Sequence, residues 1–282
     1  MAERWDLTLE EPYVGGISGA VLKAVTRSGQ LAVLKVAYPH EEARWEAAGL
    51  TSFPDNTAPA VLRQDQWTWS LLLERIMPGT TLLASGLALE DALTVAGELA
   101  ARLGEGHPQA GIPRLEEAMR DYQRRAYDRL GEQADALDAL GVTEAVPQAI
   151  ADIDELLATG PSGSLLHGDF NPGNILLASA SQDATAQWVV VDPKPLVGDP
   201  SFDLWPVVSQ LGNPYGSPDA AERLSYQATV AAAAAGCDAH RVIRWSRVRT
   251  ALNVSWYLAD NQRELAATEA AALGAWNSVL AG

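Results

Sequence analysis

The sequence predicts an α+β chain in two unequal lobes, a small β-rich one at the N-terminus and a larger, mainly helical one after it. Three observations predict this. Residues 20–36 read AVLKAVTRSGQLAVLKV, two β-rich runs joined by the turn residues Arg27, Ser28, Gly29 and Gln30. The apolar run TWSLLLERIM stops at Pro78 and Gly79, where the text becomes rich in Ala and Leu at helical spacing. Beyond that point helical periodicity is broken by one long stretch, 164–193. The 282 residues are therefore divided at 78/79, with 1–78 as the first lobe and 79–282 as the second.

Taken in order, the hairpin leads into a helix over 40–50, which follows Pro39 and carries Glu42 and Glu46 four apart on one face. A strand ending in LLLERIM closes the first lobe. Residues 87–103, 114–140 and 144–158 carry apolar side chains at helical spacing, with acidic residues and Arg between them. SLLHGDFNPGNILL and AQWVVVDP then read as strands about a polar loop and the polar ASASQDAT. Helices resume at Pro200, capped by Asp199, and continue over 217–235, 238–260 and 262–280.

Composition excludes several classes. The net charge is −16 and the pI about 4.6, which disfavours a nucleic-acid partner. No apolar run reaches the ~18 residues of a membrane span, and the start has no leader pattern, so no membrane partner and a cytoplasmic monomer are expected. Cys237 is the single cysteine, which excludes a disulfide framework and a thiolate zinc cluster. Residues 1–78 hold 7 Lys+Arg against 10 Asp+Glu, and 79–282 hold 13 against 26. The second lobe thus carries about −13, mostly solubilising surface charge, and it points toward a cationic small-molecule partner.

The motif with the most chemistry is HGDFNPGN, residues 167–174, followed by Asp192 at the end of an apolar strand. Phosphoryl transfer needs one carboxylate to orient the acceptor hydroxyl and receive its proton. It also needs separate oxygen ligands for Mg²⁺ on the nucleotide phosphates. Asp169, Asn174 five residues later and Asp192 after a β-run supply these types in that order. A Gly-Asp-Asn-Pro turn alone would need neither His167 nor the later Asp192. The spacing parallels the catalytic loop of protein kinases, with HGD for HRD.

On these residues the chain resembles the aminoglycoside phosphotransferase and choline kinase superfamily over nearly its whole length. WVVVDPKPLVGDP, residues 188–200, looks like the streptomycin 6-phosphotransferase and hydroxyurea kinase branch. The resemblance implies a protein-kinase-like fold, with ATP and Mg²⁺ as cofactors. It further implies Asp169 as the catalytic carboxylate and Asn174 and Asp192 as metal ligands. Lys35 would hold the α- and β-phosphates and pair with Glu46, with Glu42 as reserve. Ser18, in a loop that lacks the full kinase glycine pattern, and the hinge Glu74, Arg75, Ile76 and Met77 would complete the nucleotide site. His167 and Asp203 would hold the catalytic loop in shape. Lys194 reaches either phosphate or Asp199.

The acceptor site is assigned to Asp121, Trp256, Asp260 and Glu264, because aromatic faces beside carboxylates suit protonated sugars. Solvated helix faces and core packing account for the same residues. The cluster Arg241, Arg244, Arg247 and Arg249 reads as a solvated face, and Trp45, Trp67, Trp69 and Trp188 as structural. The function implied is an ATP- and Mg²⁺-dependent O-phosphotransferase acting on an aminoglycoside such as a streptomycin-like antibiotic. Its alternatives are a metabolic kinase of hydroxyurea, an amino sugar or choline, and a nucleotide-binding pseudokinase. Only 193–198 separates Asp192 from the Asp199 cap, and Pro193 and Pro195 stiffen it, so no activation loop is expected.

Overall fold

Antiparallel pairing around the 27–30 turn organises the first part of the chain. The computed structural model describes residues 1–13, 19–40, 42–179 and 187–282. The hairpin strands are β2 (Gly19–Thr26) and β3 (Leu31–Ala37), in register from Gly19 opposite Ala37 to Val25 opposite Leu31. β5 (Ser70–Glu74) pairs with the other side of β3, and β1 (Leu7–Pro12) and β4 (Val61–Asp65) form the edges. The sheet order is β1-β2-β3-β5-β4, antiparallel throughout. The helix expected over 40–50 is shorter than its pattern: Glu42–Trp45 is a 3-10 turn and the α-helix α1 is Glu46–Ser52. Its buried residues, Ala47 and Leu50 among them, lie against Leu71 and Leu73 of β5.

The helical part opens with α2 (Leu89–Gly104), α3 (Leu115–Ala139) and α4 (Ala145–Thr159). Two short antiparallel ribbons interrupt it. One pairs β6 (Ser164–Leu166) with β9 (Leu196–Gly198), the other β7 (Ile175–Ser179) with β8 (Gln187–Val190). These ribbons bracket residues 167–174 and 191–195. Next come a 3-10 turn at Pro200–Phe202, capped by the Asp199 carboxylate on the Ser201 N–H, and α5 (Trp205–Gln210). α6 (Ala220–Ala235), α7 (Ala239–Ala259) and α8 (Arg263–Ala281) complete the chain. Among the described residues no helix is long and apolar enough to cross a membrane.

Two apolar clusters hold the helical part. One joins α2 and α6 to the β7/β8 ribbon and the fully buried Phe170. The alanine-rich 228–235 has its reason here: a Cβ on Gly97 would stand 2.5 Å from the Ala231 carbonyl, so α2 and α6 meet backbone to backbone through small residues. The other cluster surrounds α7, whose Trp245, Val248, Ala251 and Val254 pack among α3, α4 and α8. That crowding corrects the reading of the α7 arginines as a solvated face. Arg241 binds the Asp199 carboxylate, Arg244 reaches Asp152 at 3.3 Å and Glu155 at 2.9 Å, and Arg247 reaches Asp152 at 3.2 Å. Arg249 lies between the rings of Phe202 and Trp205 at 4.4 and 4.6 Å. Trp67 is 94% exposed, so it is not a core residue of the sheet.

Candidate active site

β3 delivers Lys35 to the inner face of the sheet, and α1 delivers Glu46 opposite it. The ammonium lies 2.7–2.8 Å from the two oxygens of Glu46 and 2.5 Å from Oδ1 of Asp192. Burial works to lower the pKa of Lys35, but these two carboxylates outweigh it and hold the ammonium protonated. The favoured partner of Lys35 is therefore the one the sequence favoured. Asp192, at φ 58°, faces the cleft through its bond to Lys35.

The loop after β6 is fixed by backbone-directed bonds. Asp203, fully enclosed, accepts the N–H of His167 at 2.5 Å and that of Gly168 at 2.8 Å. Burial pushes its carboxyl up to about 6. His167 places Nε2 3.0 Å from the Val191 carbonyl, and its Nδ1 accepts the Asp169 N–H at 3.2 Å, so the neutral Nε2–H tautomer satisfies both. Burial lowers the imidazole to about 4. Phe53 stacks on one side of the ring at 6.3 Å and Phe170 meets it edge-on at 5.8 Å. Gly168 has φ +79°, and a Cβ there would stand 1.9 Å from the Lys194 carbonyl. Only glycine fits that approach, which explains HGD at this position.

Asp169 follows, with its carboxylate toward the cleft. Asn171 donates to its Oδ1 at 3.2 Å, and Lys194 Nζ lies 3.4 Å from its Oδ2. Burial works to raise this carboxyl, but Lys194 and the Asn171 bond outweigh burial and hold it below the usual aspartate value. Asn174 donates its amide N–H to the Asp169 carbonyl at 3.0 Å, leaving its own side-chain oxygen unused among the described residues. Its backbone carbonyl accepts the Val191 N–H at 2.9 Å, one residue before Asp192. Asn174 and Asp192 thus present hard oxygen donors from neighbouring backbone. Among the described residues no group of three or more His, Cys, Asp or Glu side chains gathers to hold a metal alone. A Mg²⁺ shared between one or two protein oxygens and substrate phosphates fits this donor set.

The hinge residues divide. Glu74 donates its N–H to Ala60 O and accepts the Ala60 N–H on its side chain, and Arg75 donates its N–H to Leu31 O and binds Glu10. Both are structural ties of the sheet. The backbone groups of Ile76 and Met77 carry no hydrogen bond among the described residues, so an adenine edge would find its partners there. Ser18 lies outside the described residues.

A cavity of about 690 Å³ opens on the other side of Asp169, between α3, α7 and the 167–174 loop. Asp121, Tyr122, Arg125 and Arg129 line it from α3, Arg249, Asn253 and Trp256 from α7, and Asp169 and Lys194 from the loops. Trp45 adds an aromatic face. Lys194 also borders the small recess that holds Lys35, Glu46 and Asp192, so it stands at the junction of the two spaces. The structure thus brings Asp121 and Trp256 to the cavity. It does not bring Asp260 or Glu264 there: the Asp260 carboxylate accepts the Trp256 indole N–H at 3.1 Å, and Glu264 lies exposed in the first turn of α8. The cavity residues absent from the sequence reading, Arg125 and Arg129, follow Asp121 at i+4 and i+8, a spacing that puts all three on one helix face.

The acidity of the second lobe is also not the acidity of this cavity. Its charged lining is Asp121 and Asp169 against Arg125, Arg129, Lys194 and Arg249.

The model of the aminoglycoside/hydroxyurea antibiotic resistance kinase family matches residues 4–261. The chain belongs to this family. It is accordingly a kinase, a phosphotransferase with an alcohol group as acceptor. It is 31% identical to the hydroxyurea phosphotransferase of Kitasatospora aureofaciens over 95% of this chain and 74% of that one. To the streptomycin 6-kinase of Streptomyces glaucescens it is 29% identical over 94% of this chain and 83% of that one. The apoenzyme of macrolide 2'-phosphotransferase MphH from Brachybacterium faecium superposes with a TM-score of 0.63 at 20% identity, covering 96% and 95% of the two chains. The GDP complex of wild-type aminoglycoside 2'-phosphotransferase-IIIa does so with 0.62 at 14%, covering 99% and 96%. These likenesses show the bilobal kinase-like fold expected from the sequence.

Proposed function

We propose that this kinase transfers the γ-phosphoryl group of ATP, as its Mg²⁺ complex, to a hydroxyl of a small polyhydroxylated molecule of aminoglycoside size. Residues 1–78 hold the nucleotide, and 79–282 hold the catalytic loop and the acceptor. The observation that carries this reading is the position of Asp169, at the border of the acceptor cavity and beside Lys194, which reaches the Lys35–Glu46–Asp192 recess.

Each residue has a task. Lys35, held by Glu46, neutralises the α- and β-phosphates. Asn174 and Asp192 would hold Mg²⁺, which when bound offsets charge on the phosphate oxygens. The Asp169 carboxylate, ionised at neutral pH, orients the acceptor hydroxyl in line with the γ-phosphorus and receives its proton as the O–P bond forms. Asp203 and His167 keep the loop in the one conformation that aims Asp169. Lys194 offsets charge on the moving phosphoryl group.

Cavity size favours a multi-ring acceptor over hydroxyurea, since about 690 Å³ lies within the range of sites that enclose drug-sized molecules. A hydroxyurea-sized acceptor is the second reading, favoured by the relative at 31% identity. Asp169→Asn should lower turnover by roughly 10²- to 10⁴-fold while nucleotide affinity is kept. Asp192→Asn should instead remove the Mg²⁺ dependence of nucleotide binding. Equal turnover by Asp169→Asn and the parent protein would exclude the assignment.

A further inference from the structure

We infer that Gly49 and Pro195 are positioning residues for the proposed nucleotide site: their contact seats α1 on the segment after Asp192 and so brings Glu46 and Asp192 to one ammonium, that of Lys35. The inference rests on that reading only in naming the recess of Lys35, Glu46 and Asp192 as the place where phosphate binds.

Gly49 lies three residues after Glu46, and Pro195 three residues after Asp192. Lys35 Nζ joins the two ends, 2.7–2.8 Å from the Glu46 oxygens and 2.5 Å from Oδ1 of Asp192. A Cβ on Gly49 would stand 2.9 Å from both Cβ and Cγ of Pro195 and 3.4 Å from Cγ of Pro193, so the helix backbone lies directly on the two rings. Pro193 borders the recess and Pro195 the larger cavity, which places this contact between the two spaces.

Neither side gives way cheaply. The proline ring fixes φ and has no long side chain to swing aside. Before it, the Lys194 N–H donates to the His167 carbonyl at 2.8 Å; after it, Leu196 opens β9, where the Val197 N–H donates to the Pro113 carbonyl at 2.9 Å. On its other side α1 rests Ala47 and Leu50 on Leu71 and Leu73 of β5, and the carbonyl of Ser52 accepts the His107 N–H at 3.1 Å. A methyl group at position 49 would therefore drive α1 off the prolines and draw Glu46 away from Asp192. Helix propensity alone favours alanine there, so a loss caused by Gly49→Ala comes from the contact.

Acylation by acetic anhydride, taken to low extent and read at each lysine by peptide mass spectrometry, tests this without nucleotide or acceptor, because the chain has three lysines, Lys23, Lys35 and Lys194. Lys35 is 8% exposed and held by two carboxylates, so its reaction reports how often it comes free. In Gly49→Ala it should react roughly 10- to 100-fold faster than in the parent protein, the worth of a hydrogen bond to a charged group, while Lys23 keeps its rate. Adding Pro195→Gly to Gly49→Ala returns the space and should restore slow acylation of Lys35, a rescue that general loss of stability would not show. That double variant carries the test should Gly49→Ala alone fail to fold. An unchanged Lys35 rate in Gly49→Ala, an equal rise at Lys23, or a double variant that is unfolded or leaves Lys35 fast would overturn the inference. Mg·ATP added to the parent protein should slow Lys35 further; if it did not, the nucleotide reading would fail while the dependence on Gly49 and Pro195 stood.

Discussion

Lys194 Nζ stands 3.4 Å from Oδ2 of Asp169, and the two side chains arrive from loops 25 residues apart that are joined by the Lys194 N–H bond to the His167 carbonyl at 2.8 Å. The lysine that follows Asp192 and Pro193 is thereby a neighbour of the proposed base, and Asp199 is occupied by Arg241 and Trp245. Lys194 helps hold the Asp169 pKa down, so Lys194→Met should raise it. The acid limb of the turnover–pH profile should move to higher pH, and turnover should fall at every pH because the moving phosphoryl group loses a cation. An unshifted acid limb would remove Lys194 from the site.

Gly168 gives a sharper structural test. Gly168→Ala meets both a left-handed φ and a backbone carbonyl at 1.9 Å, so it should destabilise the fold by roughly 2–5 kcal/mol and displace Asp169. Chemical denaturation reads the first effect and acceptor turnover the second. Gly131→Ala, at an open position inside α3, is the control and should stabilise the fold by roughly 0.5–1 kcal/mol and leave turnover unchanged.

His167 predicts an acid weakness. Its pKa falls from an ordinary 6.5 to about 4 on folding, so below 6.5 the unfolded chain takes up a proton that the folded chain refuses. The stability this group contributes is complete above pH 6.5 and is lost as pH falls toward 4, by roughly 3 kcal/mol. Denaturant midpoints measured across that window should decline, and the decline should be shallower in His167→Gln even though that variant starts less stable. A parallel decline in both proteins would assign the acid sensitivity elsewhere.

The candidate site residues could be picked out of the sequence because their signal is local. Asp169, Asn174 and Asp192 stand at fixed spacing on one strand–loop–strand segment, and Lys35 and Glu46 lie on the adjacent hairpin and helix. The helices from α2 to α8 were legible from periodicity to within a few residues. β1 and β4 were not, because they are edge strands: five of the six β1 residues are exposed, and no apolar alternation marks them. β9 is three residues long and pairs with β6 across 29 intervening residues. The candidate acceptor cavity was the least legible part, since Arg129, Asn253, Trp45 and Asp169 come together only when α3, α7 and the 167–174 loop pack. Net charge could not place the cavity for the same reason: it sums over a lobe and says nothing of which face carries it.

In the proposed reaction a phosphoryl group passes directly from ATP to an acceptor hydroxyl placed by Asp169. Turnover of ATP whose γ-phosphate carries heavy oxygen, followed by mass spectrometry of the acceptor, measures this most directly. Direct transfer gives an acceptor phosphate that retains all the labelled non-bridging oxygens and takes its bridging oxygen from the acceptor hydroxyl, with the product nearly lost in Asp169→Asn. Labelled inorganic phosphate with an unmodified acceptor, or undiminished product from Asp169→Asn, would contradict it.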